Sequence, residues 1–212
     1  MALSFASSLV RGTSALLGRH DVELVFARGS GEIPGLGIVG RPFARALRRS
    51  LPDRRVGAYA VRYRAHWNQT TVGAGATDLV DHIVELARRH PKMQFVLGGY
   101  SQGAMVVYLA LGGRVWTDLA VRGEYKTLPA QLAPRIKAIA LFGNPLVRWG
   151  ARMPGRYASI TRDFCNAGDP VCSSGRNFIA HLTYGTNGST DRAATFSAQR
   201  VRPAVRSAAR RA

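Results

Sequence analysis

A serine hydroxyl attacks carbonyls only when a base takes its proton and a carboxylate orients that base, and this chain carries all three residue types in a usable order. Ser101 lies in Gly99-Tyr100-Ser101-Gln102-Gly103, the spacing G-x-S-x-G. The stretch before it, Gln94 to Gly98, reads as an apolar strand, and Gln102 to Leu111 after it is apolar on all sides, which predicts a buried helix. A strand that turns straight into a helix brings two backbones close together. It therefore needs residues without bulk on either side of the serine, and it pushes the hydroxyl out at the end of the sheet. His181 is the only histidine downstream of Ser101, whereas His20, His66, His82 and His90 precede it and read as structural or solvated. Asp118, Asp163, Asp169 and Asp191 could each supply the acid. Asp169 is favoured because Cys165 and Cys172 bracket it. A disulfide there would pin the loop that carries the carboxylate, and in the chain-entropy model so short a ring contributes about 2 kcal/mol. Two reduced thiols are the rival reading. The spacing does not fit a zinc site, and no metal is expected.

The oxyanion formed by such an attack needs two donors. One is the backbone N–H of Gln102 at the first turn of the helix; the second should come from the loop Arg28-Gly29-Ser30-Gly31-Glu32, with Ser30 offering backbone and hydroxyl. Gly35-Leu36-Gly37-Ile38-Val39-Gly40 fits G-x-G-x-x-G, but it begins eight residues after the first strand ends at Ala27. The second strand, moreover, ends near Arg62 with no ribose-binding acid, so a nucleotide site is not favoured.

The elements that must position these groups follow from periodicity. Asp21 to Ala27 reads as a buried strand, Gly40 to Arg49 as a helix, and Gly57 to Tyr63 as a strand. Residues 73 to 90 space Ala76, Leu79, Val80, Ile83, Val84 and Leu86 by threes and fours among charged residues, an amphipathic helix ended by Pro91. Ile136 to Phe142 is a further strand and Tyr157 to Asp163 a weaker fifth. Strands separated by helices imply crossovers, hence an α/β fold with a mostly parallel sheet covered on both faces. The connection from Gly112 to Arg135, with Trp116, Leu119, Tyr125 and Leu128, is long enough to add a helix that either shapes an acyl groove or packs on the surface.

Composition narrows the function classes. The 212 residues are 46% hydrophobic, with 30 Lys plus Arg against 12 Asp plus Glu, a net charge of +18. That length buries a core without metal or disulfide support, and its apolar content excludes a disordered chain. No apolar run is long enough to span a membrane. Lys92, Lys126 and Lys137 are the lysines, and the arginines are scattered along the whole length. A nucleic-acid surface would concentrate them and interleave aromatics, so no specific nucleic acid is expected. The acid-free run Arg200, Arg202, Arg206, Arg210 and Arg211 could contact an anionic surface weakly or be a solvated end. Residues 1–18 lack a positive n-region and are broken by Arg11, so no signal peptide is assigned. The expected division is a peripheral segment 1–18, one domain over 19–200 and a basic tail 201–212.

Five ordered blocks, DVELVFARGSGE, GGYSQGA, LFGNP, FCNAGDPVC and AHLTYG, between Asp21 and Gly185 resemble the cutinase family of serine esterases, in particular its actinobacterial branch. The resemblance implies a compact α/β-hydrolase with a five-stranded sheet, a Ser101-Asp169-His181 triad, an oxyanion hole at Ser30 and Gln102, and a Cys165–Cys172 disulfide. It also implies hydrolysis of carboxylic esters without a cofactor, often with no full lid over the serine, and secretion or delivery to the cell envelope. Family members commonly carry another disulfide, whose matching positions here are Arg19 and His90. The reading is therefore a serine esterase acting as a monomer on acyl lipid or polyester. A phage-type or exported envelope (mycolyl) ester hydrolase and a non-catalytic polyanion-binding module are the alternatives.

Overall fold

A computed structural model describes residues 21–114 and 124–201. Five strands, β1 (Val22–Ala27), β2 (Val56–Ala60), β3 (Gln94–Tyr100), β4 (Ile136–Phe142) and β5 (Thr161–Phe164), form one sheet in the order β2-β1-β3-β4-β5. Every neighbouring pair is parallel. A fully parallel sheet needs cover on both faces, and its strands are accordingly near-continuous apolar runs. Alternate side chains divide between the faces. Leu24, Phe26, Val96 and Ala140 pack toward α1 (Gly37–Ser50) and α6 (Ser189–Val201). Val25, Leu97, Ile139 and Leu141 pack toward α2 (Val72–Arg89) and α3 (Gln102–Ala110).

The expected order of strands and helices is present, with informative differences at the ends. β2 stops at Ala60 rather than Tyr63. Tyr63 turns out of the sheet to donate its hydroxyl to the Arg28 carbonyl, while Arg28 Nη2 donates to the Tyr63 carbonyl at 2.6 Å. Tyr157 does not open β5; it lies in the short helix α4 (Gly155–Ala158), buried against the α2 and α3 side of the core. Helix α6 has no counterpart in the sequence reading. Its buried residues are mostly small, Ser189, Thr190, Ala193, Ala194, Ser197 and Ala198, with Phe196 and Val201 the two large apolar ones, too few to print an apolar stripe, and the helix packs closely on α1. Arg200, assigned to the basic run, belongs to this helix: its guanidinium covers the Phe196 ring at 3.7 Å. Residues 1–18, and the rest of the basic run beyond Val201, lie outside the described residues.

The connection after α3 is settled in part. The Leu128 N–H bonds the Ala110 carbonyl at 2.7 Å, Leu128 is buried, and Tyr125 packs against the same core. Ala110 is at the far end of α3 from Ser101, about 13.5 Å along the axis at ~1.5 Å per residue. Tyr125 and Leu128 are therefore core residues, not walls of a groove at the serine. Trp116, Leu119 and Asp118 fall outside the described residues.

Candidate active site

β3 ends at Tyr100 and α3 starts at Gln102, so Ser101 alone makes the turn, at φ 54° and ψ −118°. This is backbone that a non-glycine residue adopts rarely and under strain. The flanking glycines explain how the chain tolerates it. A Cβ on Gly99 would lie 2.4 Å from the Gly103 carbonyl oxygen, and one on Gly103 would lie 1.9 Å from the Ala27 carbonyl oxygen. The Ser101 N–H is anchored on the Phe142 carbonyl at 2.8 Å, tying the turn to β4.

Asp169 is fully buried and His181 only 4% exposed. His181 Nδ1 lies 2.9 Å from Asp169 Oδ2. Of the other candidate acids, Asp163 accepts from Asn144 Nδ2 at 2.7 Å and Asp191 pairs with Arg49 at 2.9 Å. Asp169 is thus the one of the three described candidates that meets the imidazole. Ser101, His181, Gln102 and Ser30 all line a single cleft of about 250 Å³. Ser101 and His181 face it together, with no hydrogen bond between them among the described residues. The cleft rim is apolar: Trp67 stands 73% exposed on one side and Phe178 and Leu182 about half exposed on the other.

Cys165 and Cys172 are disulfide-bonded, which resolves the two readings of that pair. Within the loop they close, the Val171 N–H donates to Asp169 Oδ1 at 2.7 Å. His181 rides on the single turn α5 (Phe178–Leu182), whose entry is capped by Asn177 accepting from the Ile179 N–H at 3.1 Å. The Asn177 N–H in turn bonds the Gly168 carbonyl at 2.8 Å, so Asp169 and His181 are carried by one cross-linked unit.

The two expected oxyanion donors are free. In the loop after β1 the N–H groups of Gly29, Gly31 and Glu32 are taken by Glu32 Oε2, the Ala65 carbonyl and the Gly29 carbonyl. The Ser30 N–H has no partner among the described residues. Nor has the Gln102 N–H, which belongs to the unpaired first turn of α3. The Gln102 side chain is engaged elsewhere, donating Nε2 to the His66 carbonyl at 2.7 Å. His66 therefore serves the site through its backbone, and Gly37 and Gly40 of the G-x-G-x-x-G run serve packing: a Cβ on Gly37 would strike the Glu32 carboxylate and one on Gly40 the Phe26 ring.

Sequence reasoning missed several supports. Glu32 holds the loop after β1 against α1, its two carboxylate oxygens accepting the N–H groups of Gly29 at 2.6 Å and Ile38 at 2.7 Å. Gly143, at φ 55°, leaves room for the imidazole, since a Cβ there would sit 2.6 Å from His181 Cε1. Tyr100 donates its hydroxyl to the His181 carbonyl at 2.9 Å. Tyr184, fully buried, donates to the same Asp169 oxygen that meets His181, at 2.6 Å, and accepts the Asn166 N–H at 2.9 Å. Burial, and then the bond to Asp169, push the Tyr184 hydroxyl far above the ordinary phenol range, so it remains a donor through the alkaline range. Their neighbours in GGYSQGA, LFGNP and AHLTYG were the available signal, but nothing local marks these residues as partners of the site.

Tyr184→Phe keeps the ring and removes the donor. Asp169 Oδ2 then keeps only its contact with His181. The expected result is that kcat falls about tenfold, as for loss of one charge-assisted bond, while the melting temperature changes little. A kcat within twofold of the parent's would reduce Tyr184 to packing.

The family model for cutinase matches residues 19–201. A cutinase of Kineococcus radiotolerans is 46% identical over 87% of this chain, and the match spans 63% of that relative's length. The phospholipase Culp4 of Mycobacterium tuberculosis is 40% identical over 95% of this chain and 90% of its own. Among solved structures, the Trichoderma reesei cutinase in complex with a phosphonate inhibitor matches with a TM-score of 0.71 and 30% identity, over 87% of this chain and 78% of its own.

Proposed function

The chain belongs to the cutinase family, and from that membership we propose that it is a carboxylic ester hydrolase working through Ser101, His181 and Asp169. The observation that carries the reading is the 2.9 Å contact of His181 with buried Asp169 in a cleft that also presents Ser101. Ser101 Oγ attacks the ester carbonyl carbon as its proton passes to His181, and Asp169 holds the resulting imidazolium through Nδ1–H. The carbonyl oxygen takes up the charge facing the free N–H groups of Gln102 and Ser30. Collapse expels the alcohol, which leaves with the proton from His181. Water then attacks the acyl-enzyme, His181 accepting its proton, and the carboxylic acid and free Ser101 result.

The apolar rim formed by Trp67, Phe178 and Leu182 supports a substrate with an acyl chain, and the phospholipase name of the Culp4 relative favours an acyl lipid over a polymer. A standing disulfide is usual in an oxidising compartment, which supports export or delivery to a cell envelope.

A fluorophosphonate probe tests the assignment, followed by a rate series of nitrophenyl esters over acyl length. One label on Ser101 and ester turnover are expected. A folded protein that takes no label, yet binds polyanions in a salt-sensitive way, would replace the enzyme with a binding module.

A further inference from the structure

Beside the catalytic cleft, α1 borders a second depression of about 440 Å³, walled by Ile33, Ile38, Pro42, Arg41 and Arg45 with Glu32 at its edge. The two hollows are adjacent, sharing Glu32 and Ile38 in their linings. Arg41 and Arg45 are exposed and four residues apart on α1, so they share one face of the helix. Their neighbours on the same helix are engaged: Arg48 Nε donates to the Val56 carbonyl at 3.1 Å and Arg49 pairs with Asp191. Arg41 and Arg45 have no hydrogen-bond or ion-pair partner among the described residues.

Glu32 is the carboxylate nearest at hand, and it is occupied. Its oxygens accept the Gly29 and Ile38 N–H groups, and among the described residues neither arginine forms an ion pair with it. Two like charges one turn apart repel, and an anion held between them reverses that cost. A phosphate matches the donor fork of guanidinium, and exposed Ile33 and Ile38 give the depression an apolar wall, of which Ile38 also lines the cleft at Ser101.

We propose that Arg41 and Arg45 form a subsite for the phosphodiester of an acyl-lipid headgroup whose ester carbonyl lies at Ser101, so that phosphate-bearing acyl esters are the preferred substrate class. The subsite rests on the reading of Ser101 as nucleophile. The headgroup supplies recognition while the esterase chemistry is unchanged, and the bond cleaved is the carboxylic ester, not the phosphodiester.

The test compares the full chain with an Arg41→Gln/Arg45→Gln variant on dihexanoylphosphatidylglycerol and on nitrophenyl hexanoate, both in solution. The expected result is a fall of about tenfold or more in kcat/KM for the phospholipid, mostly in KM, with the neutral ester within twofold. Equal losses on both substrates, or none on either, would overturn the subsite. A parent protein that cleaves the hexanoate and not the phospholipid would overturn it too, leaving the nucleophile in place. Turnover of the hexanoate by Ser101→Ala would instead remove the reading beneath it. Inorganic phosphate separates headgroup from free ion: weak, millimolar competition against the phospholipid alone agrees with the proposal. Micromolar competition against the neutral ester would assign the pair to free phosphate and reject the headgroup.

Discussion

Ser101→Ala is expected to lower kcat for a nitrophenyl ester by on the order of 10⁶, with the melting temperature unchanged. The size follows from the unit the residue belongs to. Without the hydroxyl, the His181–Asp169 pair has no proton to take, and what persists is binding and the two free N–H groups, which in comparable sites retain a residual of about 10³–10⁴ over water. The fold should not respond, because alanine meets the same backbone demand at φ 54° that serine already meets, and the turn is held from outside by the Ser101 N–H to Phe142 carbonyl bond. Rates and thermal melts of the purified variant check this. Activity within tenfold of the parent would mean that another group attacks the ester.

Gly103→Ala is expected to damage the fold itself. The new Cβ would lie 1.9 Å from the Ala27 carbonyl oxygen, 2.5 Å from its carbon and 2.7 Å from the Arg28 carbonyl oxygen, all backbone atoms that no rotamer change can move. Relief requires α3 to separate from the end of β1, which strains the Ala27–Gly99 register and shifts the loop that begins at Arg28. Overpacking usually costs about 1–3 kcal/mol where side chains can yield, and here nothing yields. Against a typical total of about 5–15 kcal/mol, a loss at or above that range should lower the melting temperature by roughly 10 °C or more, or prevent soluble expression. Gly155→Ala is the control, since a Cβ there meets nothing within 4 Å. A Gly103→Ala protein melting with the parent would show that the close approach can relax.

Much of the candidate site was legible because it is written locally. The elbow glycines exclude their own neighbours, the order of serine, acid and histidine limits the choice, and the cysteines bracket Asp169 within eight residues. The sheet was legible for a similar reason, since strands buried on both faces are continuous apolar runs. Helix α6 was not, because its buried face is mostly alanine, serine and threonine, whose value lies in letting α1 approach, with Phe196 and Val201 the large apolar residues on it. Tyr63 and Tyr157 misled the strand ends because an aromatic residue suits a strand equally well as a core plug.

By itself the sequence determined which groups could do the chemistry and the α/β frame that carries them, since both depend on residue type and short spacing. Only the tertiary structure decided which described aspartate meets His181, that Tyr184 holds Asp169 and Glu32 the loop after β1, and that among the described residues the Ser30 and Gln102 N–H groups and the side chains of Arg41 and Arg45 have no partner. Those are relations across space: a hydrogen bond between Tyr184 and Asp169, or a free amide on Ser30, exists only once packing has fixed every competing donor and acceptor around it.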